Sequence, residues 1–233
     1  MQILQKILLY APVLLFSVIA HEIAHGWAAL RQGDRTALDA GRLTWNPKPH
    51  IDPFFTILLP LMTIAGSMAA GARPMVFGGA RPVPVDPRNY RHPRLGDIIV
   101  SLAGVATNVL IAIACTLLVV PIGMLGHAWD GGAGTLAVLQ AMLLLGIQVN
   151  LLLAVFNLLP IPPLDGSHVV KHLLPAPLAQ AYARAARFGF LILVALLFVA
   201  RDALAWWMRP VRIGTDAALR LVYTWILPTP WTS

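Results

Sequence analysis

The 233-residue sequence contains one cysteine, one glutamate and few charged residues of any kind. Cys115 lies inside an apolar run, so neither a disulfide framework nor a cysteine-rich metal site can be built. Charged residues make up 12% of the chain, about half their share in soluble domains. So few charges cannot cover a water-facing surface, and no soluble domain fits anywhere. Apolar residues reach 58%, the composition of a membrane protein. The remaining charge leans basic, with 17 Lys and Arg against 10 Asp and Glu. Such a balance could suggest nucleic acid. Here the cations lie between apolar runs, where cytoplasmic loops carry them, so the partner they imply is the lipid bilayer and not nucleic acid.

Crossing roughly 30 Å of hydrocarbon takes about 20 apolar residues. Residues 98–125 and 131–164 are uncharged and qualify. Residues 5–30 qualify apart from Lys6 at the start and His21, Glu22 and His25 within, and 188–208 apart from Arg201 and Asp202. The N-terminal run continues through its three polar residues without a small-residue cleavage site, so it does not read as a removed leader. Residues 53–72 are uncharged but broken by Pro60 and a small-residue tail, which suits a re-entrant or kinked segment. The sequence thus predicts an all-α polytopic membrane protein with about four transmembrane helices and that segment. GRLTWNP at 41–47 and ARPVPVDP at 80–87 are β-prone and punctuated by Pro and Gly, as short strands or extended chain along the membrane face would be. Residues 1–174 form the expected core; 175–233 hold a last transmembrane helix and, over 215–227, an interfacial or packed terminal helix.

The chemistry is concentrated at His21-Glu22-Ile23-Ala24-His25, an H-E-x-x-H motif within a helical apolar run. Residues four apart share a helix face, so both imidazoles can reach one metal ion. Glu22 lies one residue round, placed to take a proton from the attacking water instead of binding the ion. With seven histidines in the chain, chance would flank the only glutamate this way about once in a thousand. Ionisable groups within a bilayer cost several kcal/mol, which makes them functional by default.

Catalytic zinc usually takes three protein ligands and one water. Asp165 stands at the end of an uncharged run of more than 30 residues, after Pro160, Pro162 and Pro163. Prolines cannot continue a helix, and unwound chain at membrane depth is tolerated only where protein or a watery cavity covers it. Asp165 followed by Gly166 is therefore the first candidate for the third ligand. His168 and His172 are also four apart, but Lys171 between them would repel a cation, and the pair suits the polar face of an interfacial helix. His50 and Asp52 more simply turn the chain. Asn157 and Asn108 are costly polar groups in apolar runs: Asn157 could face a reacting carbonyl, or bond between helices. Asn108, after Ala103-Gly104, reads first as packing.

HEIAH at 21–25, SLAGVATN at 101–108 and FNLLPIPPLDG at 156–166 resemble, in order and setting, the core of the site-2 protease family of intramembrane zinc metalloproteases. The resemblance covers about residues 14–172. It implies one Zn2+ per chain on His21, His25 and Asp165, with Glu22 as the base and Asn157 assisting near the reacting carbonyl. The middle motif has Gly104-Val105 where the family usually has Gly-Pro. GRLTWNP with HIDP is similar to a compact bacterial subgroup without PDZ or CBS domains.

The function this implies is zinc-dependent cleavage of transmembrane segments of other proteins, by a multi-pass protein of the cell membrane, expected to be the bacterial cytoplasmic membrane. Two alternatives come from other classes. A metal transporter needs several sites along its path, for which acids are too few. A non-catalytic zinc-binding scaffold would more often close its metal with four protein ligands.

Loop charge also predicts topology. With 53–72 not crossing, loops 31–52 and 73–97 share one side and carry nine Lys and Arg, and 165–187 with three more joins them. Single cysteines placed at positions 40 and 88, after Cys115→Ser, should then both be labelled from the cytoplasmic side. Labelling of position 88 from outside and 40 from inside would show that 53–72 crosses.

Overall fold

The computed structural model describes residues 2–53, 58, 62 and 79–228. Most of the segment 53–72, expected to be re-entrant, lies outside the described residues. Helix α1 (Gln2–Gln32) carries the first apolar run and is followed by a short helix α2 (Thr36–Asp39). Helix α3 (Pro93–Ala128) begins with proline, whose missing N–H costs nothing at that position. A turn at Asp130–Gly132 leads into α4 (Ala133–Asn157). So short a connection makes α3 and α4 antiparallel neighbours, and α1 packs against both.

These three helices are long and apolar enough to cross a membrane. Their outer faces are apolar as well: Leu110, Ile113, Leu117 and Leu125 of α3 are all at least half exposed. Polar groups are turned inward instead. Asn108 Nδ2 donates to Asn150 Oδ1 at 2.8 Å, and Asn150 Nδ2 donates to Ser17 Oγ at 2.9 Å. The three residues are buried and tie one point of each helix together.

After α4 the chain unwinds over 158–164 and resumes as α5 (Asp165–Leu173), then α6 (Ala176–Ala185). The fourth apolar run does not form one long helix. It is split into α7 (Gly189–Phe198) and α8 (Arg201–Trp207), and the break falls immediately before the charges of Arg201 and Asp202. Ten residues of α7 span about 15 Å at 1.5 Å per residue. Helix α9 (Arg209–Val222) is packed along α4. Trp207 Nε1 donates to Val155 O, and Gln140 receives the chain end by donating to Trp225 O and accepting from Leu227 N–H. Part of the 215–227 segment thus packs on α4, while Leu221 and Tyr223 are exposed.

Among the described residues none is in a strand. The β-prone loops are bends and irregular chain, because Pro82, Pro84 and Pro87 lack the N–H a ladder needs. They are nevertheless anchored. Arg81 N donates to His50 O at 2.8 Å and Arg42 Nη2 to Arg81 O at 2.7 Å. Buried Asp34 accepts from Thr36 N, Asp86 N and Asn89 Nδ2 at 3.1, 2.8 and 2.9 Å, pinning α2 and the far end of the loop.

Burial alone would raise the Asp34 pKa; the hydrogen bonds from Thr36, Asn89 and Asp86 outweigh it and hold the carboxylate below its usual range. Asp34→Ala strips a charged acceptor from four donors, the Thr36 hydroxyl included, and should cost about 2–3 kcal/mol at neutral pH. A group whose folded pKa is depressed contributes its stability above its unfolded value and loses it as pH falls through the folded one. Thermal unfolding in detergent should therefore show the gap between wild type and Asp34→Ala narrowing below about pH 4.

Candidate metal centre

His21 and His25 stand on adjacent turns of α1 and face α3 and the start of α5. His21 Nε2 and His25 Nε2 are 2.9 Å apart, and both face Asp165 Oδ2, at 3.2 and 3.4 Å. Among the described residues this is the one group of three or more His, Cys, Asp or Glu side chains close enough to share a metal ion.

The other ring nitrogens are already committed. His25 Nδ1 lies 2.7 Å from Val100 O, an acceptor only, so Nδ1 carries the proton there. His21 Nδ1 lies 2.5 Å from Asn108 Oδ1, whose amide nitrogen is used on Asn150, so it donates too. In the neutral ring each Nε2 is then left with a lone pair. Two lone pairs and a carboxylate oxygen facing one another repel unless a cation joins them. Tetrahedral zinc with bonds of about 2.0–2.1 Å separates its ligands by about 3.3 Å, close to the spacings found. Donor set, tautomers and spacing all fit a zinc ion.

Helix α3 makes room for this. A Cβ at Gly104 would lie 2.5 to 2.7 Å from ring atoms of His21 and His25, so only glycine lets the helix pass behind both imidazoles. Asp165 depends on a second close approach. The Pro-broken turn brings the start of α5 against the end of α4, where a Cβ at Gly166 would lie 2.2 Å from Leu158 O. The Asp-Gly pair is thus fixed by backbone contact, and Asp165 is aimed back at α1.

Glu22 lies outside the ligand group. Its Oε2 accepts the Val83 N–H at 2.7 Å from the irregular loop, which orients the carboxylate. Asn157, at the end of α4, donates back to Leu153 O at 3.0 Å. His50 is buried and bonds to Thr44 O, serving the loop as expected of a turn residue. His168 and His172 do not join the metal group. Both face Asp97 of α3, which is buried: His168 Nδ1 lies 3.2 Å from its Oδ1 and His172 Nε2 2.7 Å from its Oδ2.

Sequence reasoning missed three partners here. Asn108 was expected to pack; it does join the helices through Asn150, and it also holds His21. The Val100 carbonyl carries no side-chain signal at all. Asp97 is one of only nine aspartates, and its place near the start of an apolar run was its one visible mark.

The chain is similar to known proteins. The model for Peptidase family M50 matches residues 9–128 and 119–200. Relatives named "Putative zinc metalloprotease" include YwhC of Bacillus subtilis, 37% identical over 212 residues, which are 89% of this chain and 88% of that protein. Rip2 of Mycolicibacterium smegmatis is 34% identical over 78% of this chain and 64% of its own length. Rip2 of Mycobacterium tuberculosis H37Rv is 32% identical over 82% of this chain and 67% of its own. No solved structure matches.

Purified protein should bind close to one zinc, and His21→Ala or Asp165→Ala should lose most of it. Asn108→Ala, which frees the His21 ring without touching a ligand atom, should weaken zinc about 10–100-fold in chelator competition. Unchanged affinity in Asn108→Ala would show that the ring needs no such partner.

Proposed function

This chain belongs to peptidase family M50 and is a zinc metalloprotease, and from that premise we propose that it cleaves peptide bonds within transmembrane segments of other membrane proteins. The observation that carries the reading is depth. His21 stands eleven residues before the end of α1, about 16 Å along the axis, inside a stretch apolar enough to cross the bilayer. A protease whose polar centre is buried among membrane-crossing helices meets its substrates there and not in bulk water. The membrane in question is the bacterial cytoplasmic membrane, in keeping with the source of the relatives.

In this mechanism His21, His25 and Asp165 would hold the zinc. When bound, zinc polarises a scissile carbonyl and lowers the pKa of water. Glu22 is the general base: fixed by Val83 N–H and free of the ligand group, its carboxylate takes the proton of the attacking water and passes it to the leaving amine. Nδ1 of His21 and of His25 keep their protons on Asn108 and Val100, so neither ring competes with Glu22. Asn157 stands one short turn of chain before Asp165, from where its amide would have to leave Leu153 O to reach a carbonyl oxygen. The substrate helix must unwind locally, because an intact helix hides its peptide bonds. Three protein ligands leave a position open, against a closed structural site, and a single ligand group among the described residues gives a transporter no second station.

Glu22→Gln keeps size and hydrogen bonding but removes the base. Zinc content should be unchanged, while cleavage of a labelled transmembrane segment in detergent should fall at least ~100-fold. A chelator should stop the wild type, and added zinc should restore it. Equal cleavage by wild type and Glu22→Gln would remove Glu22 as the base. Cleavage of a soluble unfolded peptide but never of the membrane segment would overturn the intramembrane reading.

A further inference from the structure

Both histidines of the ligand group have neighbours on one face of α3. Asn108 holds His21, the Val100 carbonyl holds His25, and Gly104 gives both rings their space. The positions 100, 104 and 108 recur every four residues and form one stripe. Asp97, one turn earlier, continues that stripe. It is 4% exposed and belongs to the same helix surface, yet it touches neither histidine of α1.

Its partners lie on α5. Asp165 is the first residue of this nine-residue helix, with His168 three and His172 seven positions later. That spacing puts all three on a single face, the one turned to α3. Two imidazoles donate to the one carboxylate: His172 Nε2 at 2.7 Å and His168 Nδ1 at 3.2 Å. Arg94, on α3, donates to the carbonyl of His172 and closes the far end of the same contact.

We propose that Asp97, gripping His168 and His172, is a positioning residue that sets α5 in register on α3 and so delivers Asp165 to the two α1 histidines. The proposal rests on the ligand assignment above. Asp165 enters the site from a Pro-broken turn, and the Gly166 contact fixes where α5 begins but not its rotation. The Asp97 clasp fixes the rotation. Two donors on one carboxylate, a turn apart, stop α5 from rolling about its axis, and Asp165 is on the face they hold. The three metal ligands would then be placed by one helix surface: two of them directly, and the third through α5.

The histidines are the sites to change, because Asp97 is buried while His168 is 46% and His172 19% exposed at the side chain. The double variant His168→Ala/His172→Ala should bind zinc about 10–100-fold more weakly in chelator competition, the range for losing an outer partner of a ligand. Its cobalt-substituted form should show an altered visible absorption spectrum, which reports coordination geometry. The variant His168→Asn/His172→Gln puts amide N–H donors where Nδ1 and Nε2 stood, and should recover both affinity and spectrum. Wild-type affinity and spectrum in the alanine pair would overturn the proposal. So would an Asn/Gln pair as impaired as the alanine pair, since the donors alone would then not suffice. Asp165→Ala is measured alongside. Full zinc affinity in that variant would remove the ligand assignment itself. Loss there, with an unaffected alanine pair, would overturn the clasp alone.

Discussion

An imidazole placed among membrane helices needs a partner for each ring nitrogen, because hydrocarbon supplies neither donor nor acceptor. In this chain that requirement governs the arrangement of everything near the site. His21 and His25 each give one N–H to an oxygen of α3, at 2.5 and 2.7 Å, and are left with their second nitrogens converging on Asp165. For a backbone carbonyl of α3 to serve as one of those oxygens, α3 must run directly behind the rings. Gly104 permits that distance. The same proximity brings Asn108 into the bundle centre, where its amide nitrogen donates to Asn150 Oδ1 and to the Ser17 carbonyl.

The magnitudes show what this polar interior is for. Hydrogen bonds between membrane helices average only about 0.6 kcal/mol, so the Ser17, Asn108 and Asn150 contacts hold the bundle weakly. The partner of a metal ligand changes metal affinity by about 10–100-fold, or roughly 1.4–2.7 kcal/mol. Orientation of the rings therefore outweighs cohesion of the helices. Cohesion comes from close apolar packing, while the outer faces of α3 remain apolar toward lipid.

How much the sequence disclosed depended on distance along the chain. HEIAH was legible because its histidines are four residues apart, and a spacing that short is also a geometry. Asp165 was legible through cost, since an acid and three prolines ending a long apolar run have few harmless explanations. Asn108 was visible but ambiguous: an amide in a membrane helix serves packing as readily as a histidine. The role of Asp97 could not be read at all, because its partners lie 71 and 75 residues away. The break of the run 188–208 at Arg201 was foreshadowed by its charges, but apolar length alone favoured one helix. Proline explained why the β-prone loops form no strand, and their anchoring by Asp34 and Arg42 again rested on long-range contacts.

The wide separation of the three converging side chains also has a consequence in time. His25 and Asp165 are 140 residues apart in sequence. At 5–20 residues per second, the ribosome needs roughly 7–28 s to make that interval. Throughout it the first helix exists with two imidazoles but without the aspartate, and at first without Val100 or Asn108 to hold their rings. A newly made chain thus passes through insertion with its hydrolytic machinery incomplete. The helix that bears Glu22 and both histidines is made first, and Asp165 reaches it only after two further membrane helices have been synthesised.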